Sequence, residues 1–353
     1  MFIQIKPEPS AARLFFLLGD NMGAKPFSTV DEQIMILRSR GLVVSDDVEC
    51  QKILLVENYY NVINGYKIPF LKRGLDGELI KPEEYIKECN FNEIYSLHNL
   101  DRVLRHLILK YLLKFETHFK TTCAYNFSNK FKEDYSYLNI SNYSTDKKVL
   151  SNILKNIAAL SAEVNKNTNT NSPKSPYIGH YLKYHDSVPL WVLVNSLTIG
   201  NMSYFFSSLD DSLKDDISKV FSLQYKGEYS SCEKIEFEAL NQIVKMVNHF
   251  RNICAHEEVL YHFSLDKKIQ SAIFSKHFKG SISLENEISR SDLYSLILLL
   301  KLVLTKSDYL ELIKSIDSIF VEFKSKFSTV MFADIILLAG FKDNWKELIM
   351  ENL

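Results

Sequence analysis

From Phe91 to about Phe127 a single pattern persists. Leu100, Val103, Leu104, Leu107, Tyr111, Leu112, Phe115 and Phe119 recur at spacings of three and four residues, which lays them along one stripe of an α-helix. A stripe of that length has to be covered by other elements, and the rest of the chain supplies helices to cover it. Gly and Pro are sparse, 11 and 8 among 353 residues, which leaves little punctuation for many short strands. No run shows sustained strand alternation. The expected fold class is all-α.

Further helices flank this one. Thr29 and Glu32 form a capping-box pattern that opens a helix closed near Gly41. "SDDVECQKILLVENYYNVI" predicts a second helix, with Ser45 as N-cap, ending near Gly65. "GYKIPFLKRGLDGEL" is expected as a loop or short hairpin. Later helices are expected over 146–165, around 177–184, at 189–199, through 201–222, and from near Ser231 to the "RNICAH" stretch. The tail is expected to hold a helix near 266–276 and a long apolar one from 291 to 325. Residues 1–27 read as irregular or weakly helical. The expected units are an N-terminal helical module (1–90), a helical domain (91–265) and a C-terminal helical extension (266–353).

Composition excludes several classes. The net charge of −1 carries no global signature of nucleic-acid binding. Cys50, Cys89, Cys123, Cys232 and Cys254 are scattered, odd in number and form no C-x-x-C pair, which argues against a disulfide framework and a cysteine zinc site. A reducing cytoplasm is the expected compartment. The apolar run "LFFLL" lacks a basic flank and follows Pro7 and Pro9, so it is not read as a signal peptide. "LYSLILLLKLVL" is too short to span a bilayer and Lys301 interrupts it. No membrane, DNA or cofactor is expected.

A local charge imbalance sits inside the neutral total. Arg102, His106, Lys110, Lys114 and His118 fall at four-residue intervals, so each lies about 40° round the helix from the last. Arg105 and Lys120 widen this stripe. Residues 100–132 contain seven Lys or Arg against two acids, Asp101 and Glu116. Such a stripe suits a phosphate backbone, and Arg102 and Arg105 are two of only eight arginines in the chain. The alternative is a solvated helix face.

"NHFRNICAHEEVLYH" holds the second constellation. Asn252 and His256 are four apart and share a helix face, whereas Arg251 and His256 lie about 140° apart. The Arg–His pair therefore suits a site completed by a second surface. RNA cleavage needs few groups: a histidine to move protons near neutral pH, and an arginine to neutralise the charge on phosphorus-bound oxygen. RNA brings its own nucleophile, the 2′-hydroxyl. The alternative is a helix C-terminus bearing a favourable histidine. His249, His256 and His262 lack the spacing of a metal-chelating set, and no G-x-S-x-G elbow is present.

Four stretches together resemble the Abi-like (abortive infection AbiD/AbiF) family of bacterial phage-defence proteins. They are "KPFSTVDEQIMILRSRGLVV" from Lys25, "NYYNVINGYKIPF" from Asn58, "FNEIYSLHNLDRVLRHLILKYLLKFETHF" from Phe91, and "PLWVLVNSLTIGNMSYFF" from Pro189 with "FRNICAHEEVLY" from Phe250. The likeness covers about residues 25 to 262. That family is placed in the HEPN superfamily of helical ribonucleases. The resemblance implies a HEPN-like helical bundle, Arg251 and His256 as an R-x4-H catalytic pair, and Asn252 as the polar residue inside it. It also implies a homodimer with two such motifs facing each other. Many relatives carry a second histidine where this chain has Glu257. The superfamily often places a polar or acidic residue of the long helix near the Arg–His pair, which makes Glu116 a candidate orienter of Arg251. A contact between Glu116 and Lys120 is the alternative.

The reading is a metal-independent endoribonuclease acting as an abortive-infection toxin. Arg251, Asn252, His256 and Glu116 form the catalytic set, and Arg102, Arg105, His106, Lys110 and Lys114 track RNA. A small noncoding RNA is a further expected partner, as antitoxin. The alternative is an RNA-binding module of the same fold that does not cut.

Overall fold

The computed structural model describes residues 27–353 apart from 170, 231–232 and 281–288. The "LFFLL" run, Ser231 and Cys232 lie outside the described residues. Among the described residues the structure is helical, with only isolated β-bridges. Helix α1 spans Val30–Ser39, and Thr29 and Glu32 close its capping box in both directions. Helix α2 spans Asp47–Glu57. Its N-cap is Asp46, not Ser45: the Asp46 carboxylate accepts from the Glu49 N–H, while Ser45 Oγ accepts from Asn90. The expected single helix to Gly65 is interrupted at Asn58, whose φ is +68°, and resumes as a π-turn over Tyr60–Asn64. The following loop is hairpin-like, with antiparallel bridges Leu71 to Tyr85 and Arg73 to Leu79.

Helix α3, Phe91–Lys130, is the spine. Most of its apolar stripe, from Leu97 through Leu104, Ile108, Leu112 and Phe119 to Phe127, is buried; of the expected members Val103 is exposed and Leu107 half-buried, at the edge of the stripe. After it come α4 (Leu150–Asn165), α5 (Pro176–Tyr184), α6 (Leu190–Leu193), α7 (Ile199–Ser208), α8 (Asp211–Tyr229) and α9 (Phe237–Ala255), of which α6 to α9 pack on the spine. Helices α3, α7, α8 and α9 form the central bundle, and α4 covers α7.

The tail holds α10 (Ser271–His277), α11 (Leu293–Leu300), α12 (Lys306–Lys324), α13 (Phe332–Leu338) and α14 (Trp345–Met350). The expected continuous helix from 291 to 325 is two helices. Thr305 caps a new start by accepting from the Asp308 N–H, and this ends the run of apolar residues. All eight residues of α11 are buried, and α12 packs lengthwise on α3. The Glu93 carboxylate, at the start of α3, accepts from the backbone and hydroxyls of both Ser328 and Thr329. No helix of the described residues is long and apolar enough to cross a membrane.

Candidate active site

The "RNICAH" stretch closes α9. His256 is the C-cap, and Glu257 follows in the left-handed region with φ +56°. The Glu258 N–H donates to Ile253 O at 3.1 Å, the outer bond of a Schellman-type stop. Glycine usually fills such a position, because a side chain there costs about 1–2 kcal/mol. Glu257 makes the same turn with a carboxylate attached. Asn252, His256, Glu257 and Glu258 are all exposed.

The segment after His256 is fixed to two other parts of the chain. Asp101 on α3 is fully buried, and its Oδ2 accepts from the Leu260 N–H at 2.9 Å, from the Tyr66 hydroxyl at 2.8 Å and from Arg105. Arg105 also donates to Tyr66 Oη at 2.9 Å and to Glu258 O at 3.2 Å. The Tyr66 ring stacks on Tyr261 with centroids 5.6 Å apart. A Cβ on Gly65 would stand 3.1 Å from Val259 Cγ2, so glycine permits this close approach. Burial pushes the Asp101 carboxyl up, while Arg105, the Leu260 N–H and the Tyr66 hydroxyl pull it back. An ion pair this deep is costly to break, because its survivor would be a buried, uncompensated charge.

Arg251 is placed differently. Its Nε lies 3.5 Å from Glu116 Oε2, and neither atom makes a hydrogen bond among the described residues. The other carboxylate oxygen, Glu116 Oε1, is 2.6 Å from Lys120 Nζ. Glu116 thus meets both of its expected partners, Lys120 closely and Arg251 loosely. Its side chain is 7% exposed and that of Arg251 27%, so the guanidinium keeps an open side.

His256 opens onto a groove of about 1410 Å³, and Arg251, Asn252 and Glu116 are not among its described lining. The wide angle expected between Arg251 and His256 corresponds to two different faces of α9. Near His256 the groove is lined by Glu57, Tyr60, Tyr66, His98 and Arg102. Burial pushes the His98 imidazole down to about 4, assisted by the Arg102 cation and opposed by Glu57.

The expected RNA-tracking stripe is mostly occupied. Arg105 is a correction: at 2% exposure it is a core residue, held inside by Asp101 and Tyr66, and cannot meet a phosphate at the surface. Arg102 forms a two-pronged pair with Glu57 at 2.8 and 2.5 Å, and this hydrogen bonding lowers the Glu57 carboxyl below its usual range. Lys110 pairs with Glu311 at 2.8 Å and Lys114 with Asp308, both on α12. His106 is exposed. His118 lies against the Phe221 ring, and burial lowers its imidazole.

The sequence pattern of the family described as "Abi-like protein" matches residues 52–262. The chain belongs to this Abi-like family. No curated protein and no solved structure matches it. The family segment begins within α2 and ends just past the Tyr66–Tyr261 stack, so it encloses the Asp101–Arg105 cluster, Arg251 and His256. Two of the stretches that carry the Abi-like resemblance, "NGY" and "DRVLR", meet at this cluster. Sequence reasoning counted Asp101 only as an acid within a basic helix and gave no role to Gly65, Tyr66 or His98. The four-residue spacing of Asp101 and Arg105 was a usable signal of a pair.

Proposed function

We propose that this Abi-like protein is a metal-independent endoribonuclease. The observation that carries the reading is the state of Arg251: a half-buried guanidinium beside Glu116, with its Nε free of hydrogen bonds, five residues before an exposed histidine. His256, as base, takes the proton from a ribose 2′-hydroxyl. The 2′-oxygen attacks the adjacent phosphorus and expels the 5′-oxygen of the next nucleotide, which recovers a proton from the histidinium. Arg251 donates to the non-bridging oxygens as charge grows on them. Asn252 positions the phosphate, and Glu116 holds the guanidinium direction. The products carry a 2′,3′-cyclic phosphate and a 5′-hydroxyl.

Arg251 and His256 leave α9 on different faces, so a second copy is assigned to complete the site. In a symmetric dimer each copy's pair faces the other's. Activity of this kind suits a toxin in abortive infection, restrained in the uninfected cell by a partner such as a small RNA. Incubation of the purified protein with RNA, followed by analysis of the ends, tests the reaction. Cyclic-phosphate ends are expected from the parent and none from His256→Ala. An alanine variant that cuts as fast as the parent sinks the assignment. Steeply salt-dependent RNA binding without any cutting would point instead to the non-catalytic RNA-binding reading.

A further inference from the structure

The groove beside His256 does not stop there. Its lining follows α9 back to Phe237, a run of about 28 Å at 1.5 Å per residue. Away from His256 the groove is lined by Lys245 on α9 and by Lys267 and Lys268 on the segment that faces it, all exposed and free of ion pairs among the described residues. Lys245 is about 16 Å along the helix from His256, and His249 lies between them. Two side chains of the lining keep a buried polar atom without a hydrogen bond, His98 Nδ1 and Asn241 Oδ1. His98 is 3% exposed, so its unpaired nitrogen is a standing cost that a ligand bearing donors and acceptors would relieve.

The charges divide along the groove. Glu57, Glu257 and Glu258 stand at the His256 end, where Arg102 neutralises Glu57. Glu238 and Asp266 accompany the three lysines at the other end. A ligand that is anionic all along its length is disfavoured at the acidic end, and an acidic peptide has no ring edge to offer His98. A single nucleic-acid strand fits better, because it can turn bases toward one end and phosphates toward the other. A duplex hides those base edges in pairing.

We propose that this groove is the path of single-stranded RNA leading to His256, with Lys245, Lys267 and Lys268 holding backbone phosphates and His98 reading a base edge beside the cut. The proposal rests on the ribonuclease reading, and binding tests it separately from cleavage. Full-length His256→Ala protein is titrated with a fluorescein-labelled single-stranded oligoribonucleotide over a range of KCl concentrations. Replacing all three lysines by glutamine should flatten the slope of log affinity against log salt by about 2, at about 0.7 per phosphate contact on a single strand. Unlabelled duplex RNA should compete at least tenfold less well than single-stranded RNA. His98→Phe, which keeps a ring but removes the nitrogen, should reduce the preference among homopolymers at least threefold; His98→Leu gives the same readout if that variant fails to fold. An unchanged slope in the triple variant, equal competition by duplex, or unchanged base preference overturns the path. Cutting by His256→Ala overturns the ribonuclease reading and leaves the binding result standing.

Discussion

Arg105 and Arg251 belong to adjacent helices of one bundle and live under opposite conditions. Arg105 is enclosed: its Nη1 reaches Asp101, Tyr66 and the Glu258 carbonyl in the core. Arg251 has one carboxylate at 3.5 Å, no hydrogen bond at Nε and an open side. A side chain buried among its own partners holds a structure together but is out of reach of a ligand. One held in direction and left under-bonded is ready to meet a new anion. The histidines differ in exposure: His98 lies between the Tyr66 and Tyr95 rings on the groove wall, whereas His256 faces solvent. Between the two arginines, burial and partners separate the one that positions from the one assigned to chemistry.

The largest expected effect breaks the buried side. Asp101→Ala strands a buried guanidinium and should cost about 3–5 kcal/mol of stability, measured by urea denaturation. A loss below about 1 kcal/mol, in the range of an exposed pair, would erase the distinction between the two arginines. Arg251→Ala should do the reverse. Its stability should change by less than about 1 kcal/mol, while single-turnover RNA cleavage falls about 10²–10³-fold. Equal losses of stability and rate would assign Arg251 to the scaffold.

Acid sharpens the contrast between histidines. Burial holds His98 and His277 near 4 in the folded protein, below the 6.5 of a free imidazole. The unfolded chain therefore binds more protons between those values, and stability falls as pH drops from 6.5 toward 4. Each buried histidine contributes up to about 1.4 kcal/mol per pH unit in that window. Thermal unfolding from pH 7 to 4.5 should show the decline, and His277→Phe should make it shallower. A parental slope in that variant would remove His277 from the account.

The smallest effect concerns Glu257. Glycine there removes about 1–2 kcal/mol of left-handed strain and loses about 0.5–1 kcal/mol to chain entropy. Glu257→Gly should thus raise stability by about 0.5–1 kcal/mol, the difference between those two terms. It also removes a carboxylate from the mouth of the groove, so RNA affinity should rise at low salt. A destabilised variant would mean that the Glu257 side chain has a partner in the assembled site.

Much of the helical architecture is legible in the sequence because its signals are local. The Thr29–Glu32 box and the apolar period of α3 each act within a few residues, whereas the stop of α9 carries no such mark, since Glu257 stands where glycine is usual. Where two local signals compete, reading fails by a residue: Ser45 and Asp46 can both cap, and Asp46 does. The break between α11 and α12 is hidden because the apolar run continues past the end of α11 to Leu304, although the Thr305–Asp308 cap is written in the chain. Burial is legible for carbon and much less so for charge. Arg105 looked like a surface residue because two of its partners, Tyr66 and Glu258, come from distant parts of the chain. Likewise Lys110 and Lys114 meet Glu311 and Asp308 about two hundred residues later, which spacing within one helix cannot reveal. Arg251 and His256 stood out through the family resemblance; the R-x4-H spacing alone also describes an ordinary helix end.

The packing of α11 and α12 sets heredity apart from foldability. The family segment stops at residue 262, yet α3 leans on α12 and α9 on α11, whose eight residues have no face toward water. A gene fragment ending at the family boundary would encode the shared motifs while stripping the cover from both helices that carry them. Expressed alone, 52–262 should be recovered as an aggregate, and a chimera between relatives should keep solubility only when residues 293–324 travel with α3.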